Sequence, residues 1–260
     1  MPELCHNGRR PGVLATLFAL LLCLGIPPAR AEVYRIGAED DWFPYTAYKD
    51  GKVQGMSVNI VQAAFDASGV QIELQPYPYA RCMEMARNGQ LVACFNTSPD
   101  ARIASQYQLP QTPLFSDDIL LWARRDEARP LNRLEQIGQR QVTVTIGYEY
   151  GSTFDEMENI HRVAVRKDLN GFRMLLHRRV DFTVAFQGTA HALFNEYPEL
   201  ANQFVPVATV HRPQLYLTFS RQHSQAAVLL QRFDEGMRRI QANGRYRKIL
   251  KQWQHTQTLQ

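Results

Sequence analysis

The chain has 260 residues, 45% of them hydrophobic and 21% charged, with a formal net charge of +4. A balance this small gives no argument for nucleic acid or an anionic membrane surface as the partner. The length suffices for two modest domains, and no repeat, charge block or low-complexity stretch interrupts it. Residues 1–31 carry Arg9 and Arg10, an apolar run from Val13 to Ile26, then Pro27-Pro28 and the small-x-small triplet Ala29-Arg30-Ala31. This reads as a secretory signal peptide cleaved before Glu32, with a retained N-terminal anchor as the other reading. Its apolar core is short for a bilayer span, no second long apolar run follows, and Leu22 before Cys23 argues against a lipoprotein. The exported product, soluble and without stable membrane insertion, loses Arg9, Arg10, Arg30 and Glu3, so its net charge falls from +4 to +2.

Cys5 and Cys23 leave with the leader, and Cys82 and Cys94 remain. An even pair in an oxidising compartment reads as a disulfide; two buried free thiols are the alternative. Cys82 falls in the first turn of a helix predicted over 79–88. Cys94 ends a strand that returns beneath that helix after an Asn88-Gly89 turn.

The elements alternate along the chain. Residues 33–38 form an apolar strand, and 56–68 a helix with Val58, Val61, Ala64 and Phe65 at helical spacing. A strand at 70–75, the 79–88 helix and a strand at 91–95 follow. Residues 119–123 are a continuous apolar run, read as a buried strand or crossover. The pattern then restarts: a short helix at 132–137, a strand at 142–146, a helix start at 152–158, a helix at 169–177, a strand at 180–185 and a helix at 189–194. A last strand at 215–219 precedes an amphipathic helical pair over 225–253, broken near Asn243-Gly244. Strands alternating with helices imply an α/β fold with its sheets in two units.

Chemistry concentrates between Tyr79 and Arg102. Asn96, Thr97 and Ser98 stand at the end of the 91–95 strand, and Arg102 follows with a planar fork of donors. An aromatic ring, an amide, two hydroxyls and a guanidinium suit a small carboxylate better than a phosphodiester or a hydrolytic reaction. A surface arginine beside an ordinary polar loop is the competing view. The seven histidines are scattered without metal-ligand spacing, with His191 on a helix face and His161 in a loop, and no cofactor is expected.

Several segments together resemble the family 3 periplasmic solute-binding proteins, polar amino-acid receptors with the type II fold. They are Trp42-Phe43-Pro44-Tyr45, the run Gly51-Lys52-Val53-Gln54-Gly55-Met56-Ser57-Val58-Asn59-Ile60, the 79–102 segment, Ile146-Gly147-Tyr148-Glu149-Tyr150-Gly151-Ser152-Thr153, Arg179-Val180-Asp181 and the closing 244–253 helix. The resemblance implies two lobes that close on a ligand, with lobe one at 32–121 and 216–260 and lobe two at 122–215. The crossings then fall at 120–124 and 213–217. It implies that Arg102 and Thr97 grip a ligand carboxylate, with Asn96 and Ser98 beside them, and that the Gly151-Ser152-Thr153 turn offers donors from lobe two. Trp42 and Tyr79 become aromatic walls, and Glu39 reads the ligand's distal group.

One departure stands out. Where the amino-acid receptors place an ammonium-pairing Asp, this chain has Phe186 followed by Gln187. An ammonium buried without a carboxylate is strongly disfavoured. Either Glu39 or Asp41 substitutes, or the solute has no α-ammonium. The implied function is capture of a small carboxylate-bearing solute, an amino acid or related organic acid, by a monomer working with an ABC permease or a membrane sensor. The alternative is a dehydratase of a cyclic prephenate-like acid on the same fold, with Glu149, Glu39 or Asp41 as general acid.

Overall fold

The computed structural model describes residues 1, 2 and 33–258, with residues 254–258 as helix backbone only. The expected leader therefore lies, except for its first two residues, outside the described residues. Val33–Glu39 is the spine of the first sheet. It runs parallel to Gln71–Tyr77 along its whole length, from Val33↔Gln71 to Glu39↔Tyr77. On its other side it pairs parallel with Ala93–Thr97 at Gly37↔Cys94. Gln214–Ser220 then adds antiparallel to Ala93–Thr97, and Tyr107–Gln108 closes that edge. The second sheet has the order His161–Val165, Gln141–Thr145, Phe182–Phe186, Ile119–Arg124, Phe204–His211.

These sheets are the cores of two lobes. The chain passes from the first to the second between Ser116 and Ile119, and returns between His211 and Gln214. The first passage comes earlier than the expected 120–124, because Ile119–Arg124 is an interior strand of the second sheet. Its apolar run is buried on both faces, which a crossover between lobes would not require.

Helices cover the sheets where the apolar spacing predicts them. Met56–Ala67 buries Ile60, Val61, Ala64 and Phe65, with Phe65 packed on Phe233 of Ala226–Ala242 at a ring separation of 5.5 Å. The helical pair breaks at Asn243 and at Gly244, whose φ of 79° is the left-handed region that favours glycine. Three elements carry no clear sequence signal: the hairpin spanning 41–54, the Phe204–His211 strand and the edge strand His161–Val165. His161, expected in a loop, begins that edge strand; its neighbours are mostly exposed, so apolar alternation is absent.

Cys82 and Cys94 form the expected disulfide, with Cα atoms 5.9 Å apart. Both are fully buried, and the strand beneath is held so close that a side chain at Gly37 would collide with the Cys82 sulfur. The bridge closes a loop across 12 positions of sequence, and removing it with C82S/C94S should lower the unfolding free energy by about 3 kcal/mol. Urea unfolding of the double variant against the oxidised parent measures this, and coincident curves would refute it.

Candidate functional site

The site stands at the carboxyl ends of the parallel strands of both sheets, where open α/β sheets place their ligands. Register does the first part of the assembly. Glu39 ends the central strand opposite Tyr77, so Tyr79, two residues on in the first turn of Tyr79–Arg87, comes beside it. Asn96 lies two residues beyond Cys94, the partner of Gly37, and its φ of 78° turns the chain sharply there. Trp42 arrives from the 41–54 hairpin, just before the cis Phe43–Pro44 peptide. The second lobe contributes Tyr148 and Glu149 after Gln141–Thr145, and Phe186 at the end of Phe182–Phe186.

These residues, with Ser98, line one recess with only about 10 Å³ of room, enough for about one water molecule. Alongside it opens a cleft of about 680 Å³, within the range of small-molecule sites, walled by Asp40, Asp41, Arg81, Ile146, Arg166 and Lys167. Glu39, Tyr79 and Tyr148 belong to both spaces, so Tyr148 forms part of the wall between them. The aromatic faces meet edge-on, Trp42 with Phe186 at 4.8 Å and Tyr79 with Tyr148 at 5.4 Å.

Hydrogen bonds join the two lobes across this recess. The Tyr148 hydroxyl donates to Glu39 Oε1, and the Tyr79 hydroxyl donates to Glu149 Oε2 at 2.7 Å. Arg102 Nη2 donates to Glu149 Oε1, also at 2.7 Å. Nearer the rim Lys167 pairs with Asp41 at 2.7 Å. Behind the recess the Tyr45 hydroxyl donates to Asp117, which also accepts the Gly188 N–H at 3.1 Å.

Burial governs the titration of the carboxyl groups here. It pushes the Glu149 carboxyl up to about 7, against the opposing hydrogen bond from Tyr79 and the charge of Arg102. Glu39 is raised well above its ordinary value by burial, opposed by the Tyr148 hydroxyl. Asp168 accepts the Thr145 hydroxyl at 2.7 Å, and burial pushes it up to about 7. On residues that line the recess, Trp42 Nε1 and both amide atoms of Asn96 have no hydrogen-bond partner among the described residues. Trp42 is 2% exposed and Asn96 6%. Buried donors and acceptors left unmade are costly, so such a cluster marks a place for a polar ligand.

The residues singled out in the sequence divide accordingly. Glu39, Trp42, Tyr79, Asn96, Ser98 and Phe186 meet in the recess, and Arg102 reaches it through Glu149. Thr97 is buried with its hydroxyl 3.4 Å from the Met83 sulfur, outside the recess lining. Ser152 and Thr153 are exposed at the start of a four-residue helix, and Gly151 packs against His211. Gln187 faces a different depression beside Trp122 and His191. Sequence reading passed over Tyr148 as a site residue and weighed Glu149 only as a catalytic acid. Their signal was local: an acid between two tyrosines just ahead of Gly-Ser-Thr, after a strand of the second sheet.

Among the described residues no group of three His, Cys, Asp or Glu side chains is placed to hold a metal ion. None of their helices is long and apolar enough to cross a membrane.

Two α/β lobes with a polar, aromatic recess between them define a two-lobed binding protein. A family model for bacterial extracellular solute-binding proteins, family 3, matches residues 34–256, and the chain belongs to that family. No curated protein sequence matches it. Among solved structures it is similar to a histidine kinase sensor domain with similarity to periplasmic binding proteins, at 22% identity and a TM-score of 0.75, covering 86% of this chain and 96% of that one. It is similar also to an ancestral arginine-binding protein bound to arginine, at 17% identity and a TM-score of 0.74, covering 85% and 97%. A third is the ancestral amino acid-binding protein AncCDT-1, a precursor of cyclohexadienyl dehydratase, at 16% identity and a TM-score of 0.72, covering 92% and 99%. At these identities the likeness concerns the fold.

Proposed function

We propose that the chain is a periplasmic receptor that captures a small carboxylate-bearing solute, an amino acid or related organic acid, by closure of its lobes. The closed surface is then read by an ABC permease or a membrane sensor. The observation that carries this reading is the set of unpartnered polar atoms, Trp42 Nε1 and the Asn96 amide, on residues lining a recess that Arg102 reaches through Glu149. A guanidinium and unpaired indole and amide groups suit a carboxylate, and a ligand that touches both lobes stabilises the closed state by its differential affinity. The expected division, 32–121 with 216–260 as lobe one and 122–215 as lobe two, is redrawn by sheet membership as 32–118 with 214–260 and 119–213. Gly151, Ser152 and Thr153 reach the solute only through a different degree of closure.

Thermal-shift screening of denatured and refolded protein against amino acids, their deaminated acids, polyamines and aromatic carboxylates tests the reading. Shifts with carboxylates are expected, and shifts confined to polyamines would overturn it. Arg102→Ala should weaken the carboxylate hit at least tenfold in calorimetry; unchanged affinity would remove Arg102 from the site. A dehydratase of cyclic prephenate-like acids is the second reading, favoured by one observation: a carboxyl at about 7, Glu149, lines the recess and suits a proton donor. Absence of ultraviolet-detected turnover at high protein loading would end it.

A further inference from the structure

We propose that Glu149 is the acid that receives the ammonium of a zwitterionic α-amino acid, and that its pairing with Arg102 stands where the solute's carboxylate binds. The inference rests on the receptor reading and narrows it to amino acids. An α-amino acid carries its ammonium and carboxylate on one carbon, so the receptor's acid must stand within a few ångströms of its guanidinium. Glu149 meets that condition, with Oε1 2.7 Å from Arg102 Nη2. Phe186 brings no charge to the recess. Glu39 accepts the Tyr148 hydroxyl, and among the described residues it forms no ion pair with Arg102. Asp100 is 3.8 Å from Arg102, but it caps its own helix through the Ile103 N–H at 2.6 Å and lies outside the recess lining.

A solute carboxylate at Arg102 displaces Glu149, and the fate of the displaced carboxylate decides which solutes bind. With a zwitterion the Arg102–Glu149 pair is exchanged for two pairs, and every buried charge keeps a partner. With a deaminated acid Glu149 keeps only the Tyr79 hydroxyl, and an unpaired buried carboxylate is strongly disfavoured. Proton traffic then differs between the two cases. The groups facing Glu149 are Tyr79, Arg102 and Asp100, with Glu39 and Tyr148 across the recess. With a zwitterion the ammonium replaces the Arg102 charge beside Glu149, so the carboxylate keeps a cation and little proton exchange follows, whereas loss of Arg102 to a deaminated acid makes Glu149 take a proton up.

The test is calorimetry near neutral pH, in buffers of different ionisation heat, on refolded protein. The probes are L-phenylalanine, L-glutamate and L-arginine, each beside its deaminated counterpart: phenylpropionate, glutarate and δ-guanidinovalerate. At least one amino acid is expected to bind tighter than its counterpart with little proton exchange, and its counterpart to take up a proton. Glu149→Gln should weaken that amino acid at least tenfold and abolish the counterpart's uptake, while the counterpart binds as well as before or better. An unchanged unfolding midpoint shows that the variant is folded. If E149Q binds the amino acid as tightly as the parent, or the parent prefers deaminated acids, the role of Glu149 is overturned while the receptor reading stands. If neither member of any pair binds the parent but other carboxylates do, the amino-acid assignment alone falls. If no carboxylate of any kind binds, both fall.

Discussion

Asp168→Asn is expected to stabilise the protein increasingly as the pH rises, by up to about 4 kcal/mol once the pH exceeds about 7. Asp168 opens the Asp168–Leu176 helix, is 7% exposed, and accepts a hydrogen bond from the Thr145 hydroxyl. Burial raises its carboxyl from 3.8 to about 7, with the nearby charge of Asp41 adding to the rise and the Thr145 hydroxyl opposing it. A carboxyl whose folded value is raised contributes its full stability below the unfolded value of 3.8. That contribution is lost progressively as the pH climbs through about 7, because the unfolded chain releases its proton more readily. Asparagine keeps an acceptor for Thr145 and removes the titration. Urea unfolding of parent and variant at about pH 5 and about pH 8 should show the advantage of the variant growing by roughly 3 kcal/mol. Parallel pH profiles would show that Asp168 ionises in the folded protein like an exposed aspartate.

Gly236→Ala carries the other large effect, and its sign is opposite to what helix propensity alone gives. In an exposed helix interior, alanine is about 1 kcal/mol better than glycine. Gly236, however, lies where Ala226–Ala242 crosses Met56–Ala67 with backbones in contact. A Cβ there would collide with the Ala64 carbonyl oxygen and lie 2.6 Å from its carbon and 3.0 Å from its Cα. The obstacle is main chain in the middle of a helix, so it cannot rotate aside. The helices must separate, and the Phe65–Phe233 contact separates with them. Overpacking of this kind costs about 3 kcal/mol or more and outweighs the propensity gain. The melting midpoint should fall by several degrees, and a midpoint equal to or above that of the parent would mean the helices do not cross at Gly236.

The fold was largely legible because its signals are local. The Met56–Ala67 and Ala226–Ala242 helices bury stripes repeating every three or four residues, and the Ala93–Thr97 strand is a short buried run behind a Gly89 turn. The Cys82–Cys94 bridge followed from an even count and a helix folded back on its strand. The elements that went unread lack such a signal. His161–Val165 is an exposed sheet edge, and Phe204–His211 pairs through bulges at Pro206/Ala208 and Thr209/His211 that break alternation.

The candidate site divides along a similar line. Composition and residue order pointed to the α/β class and the disulfide, and the resemblance that the chain's motifs carry pointed to the family and to Glu39, Trp42, Tyr79 and Asn96, which strand register brings to one recess. What joins the lobes belonged to the tertiary structure. Arg102 meets Glu149 across 47 positions, and Tyr148 meets Glu39 across 109. Nothing in either local segment specifies such a pairing; it exists because two separately folded sheets present their strand ends to one another. The same closure buries Glu149 and shifts its carboxyl toward neutrality, whereas Ser152 and Thr153, with equally suitable chemistry in the sequence, remain in water.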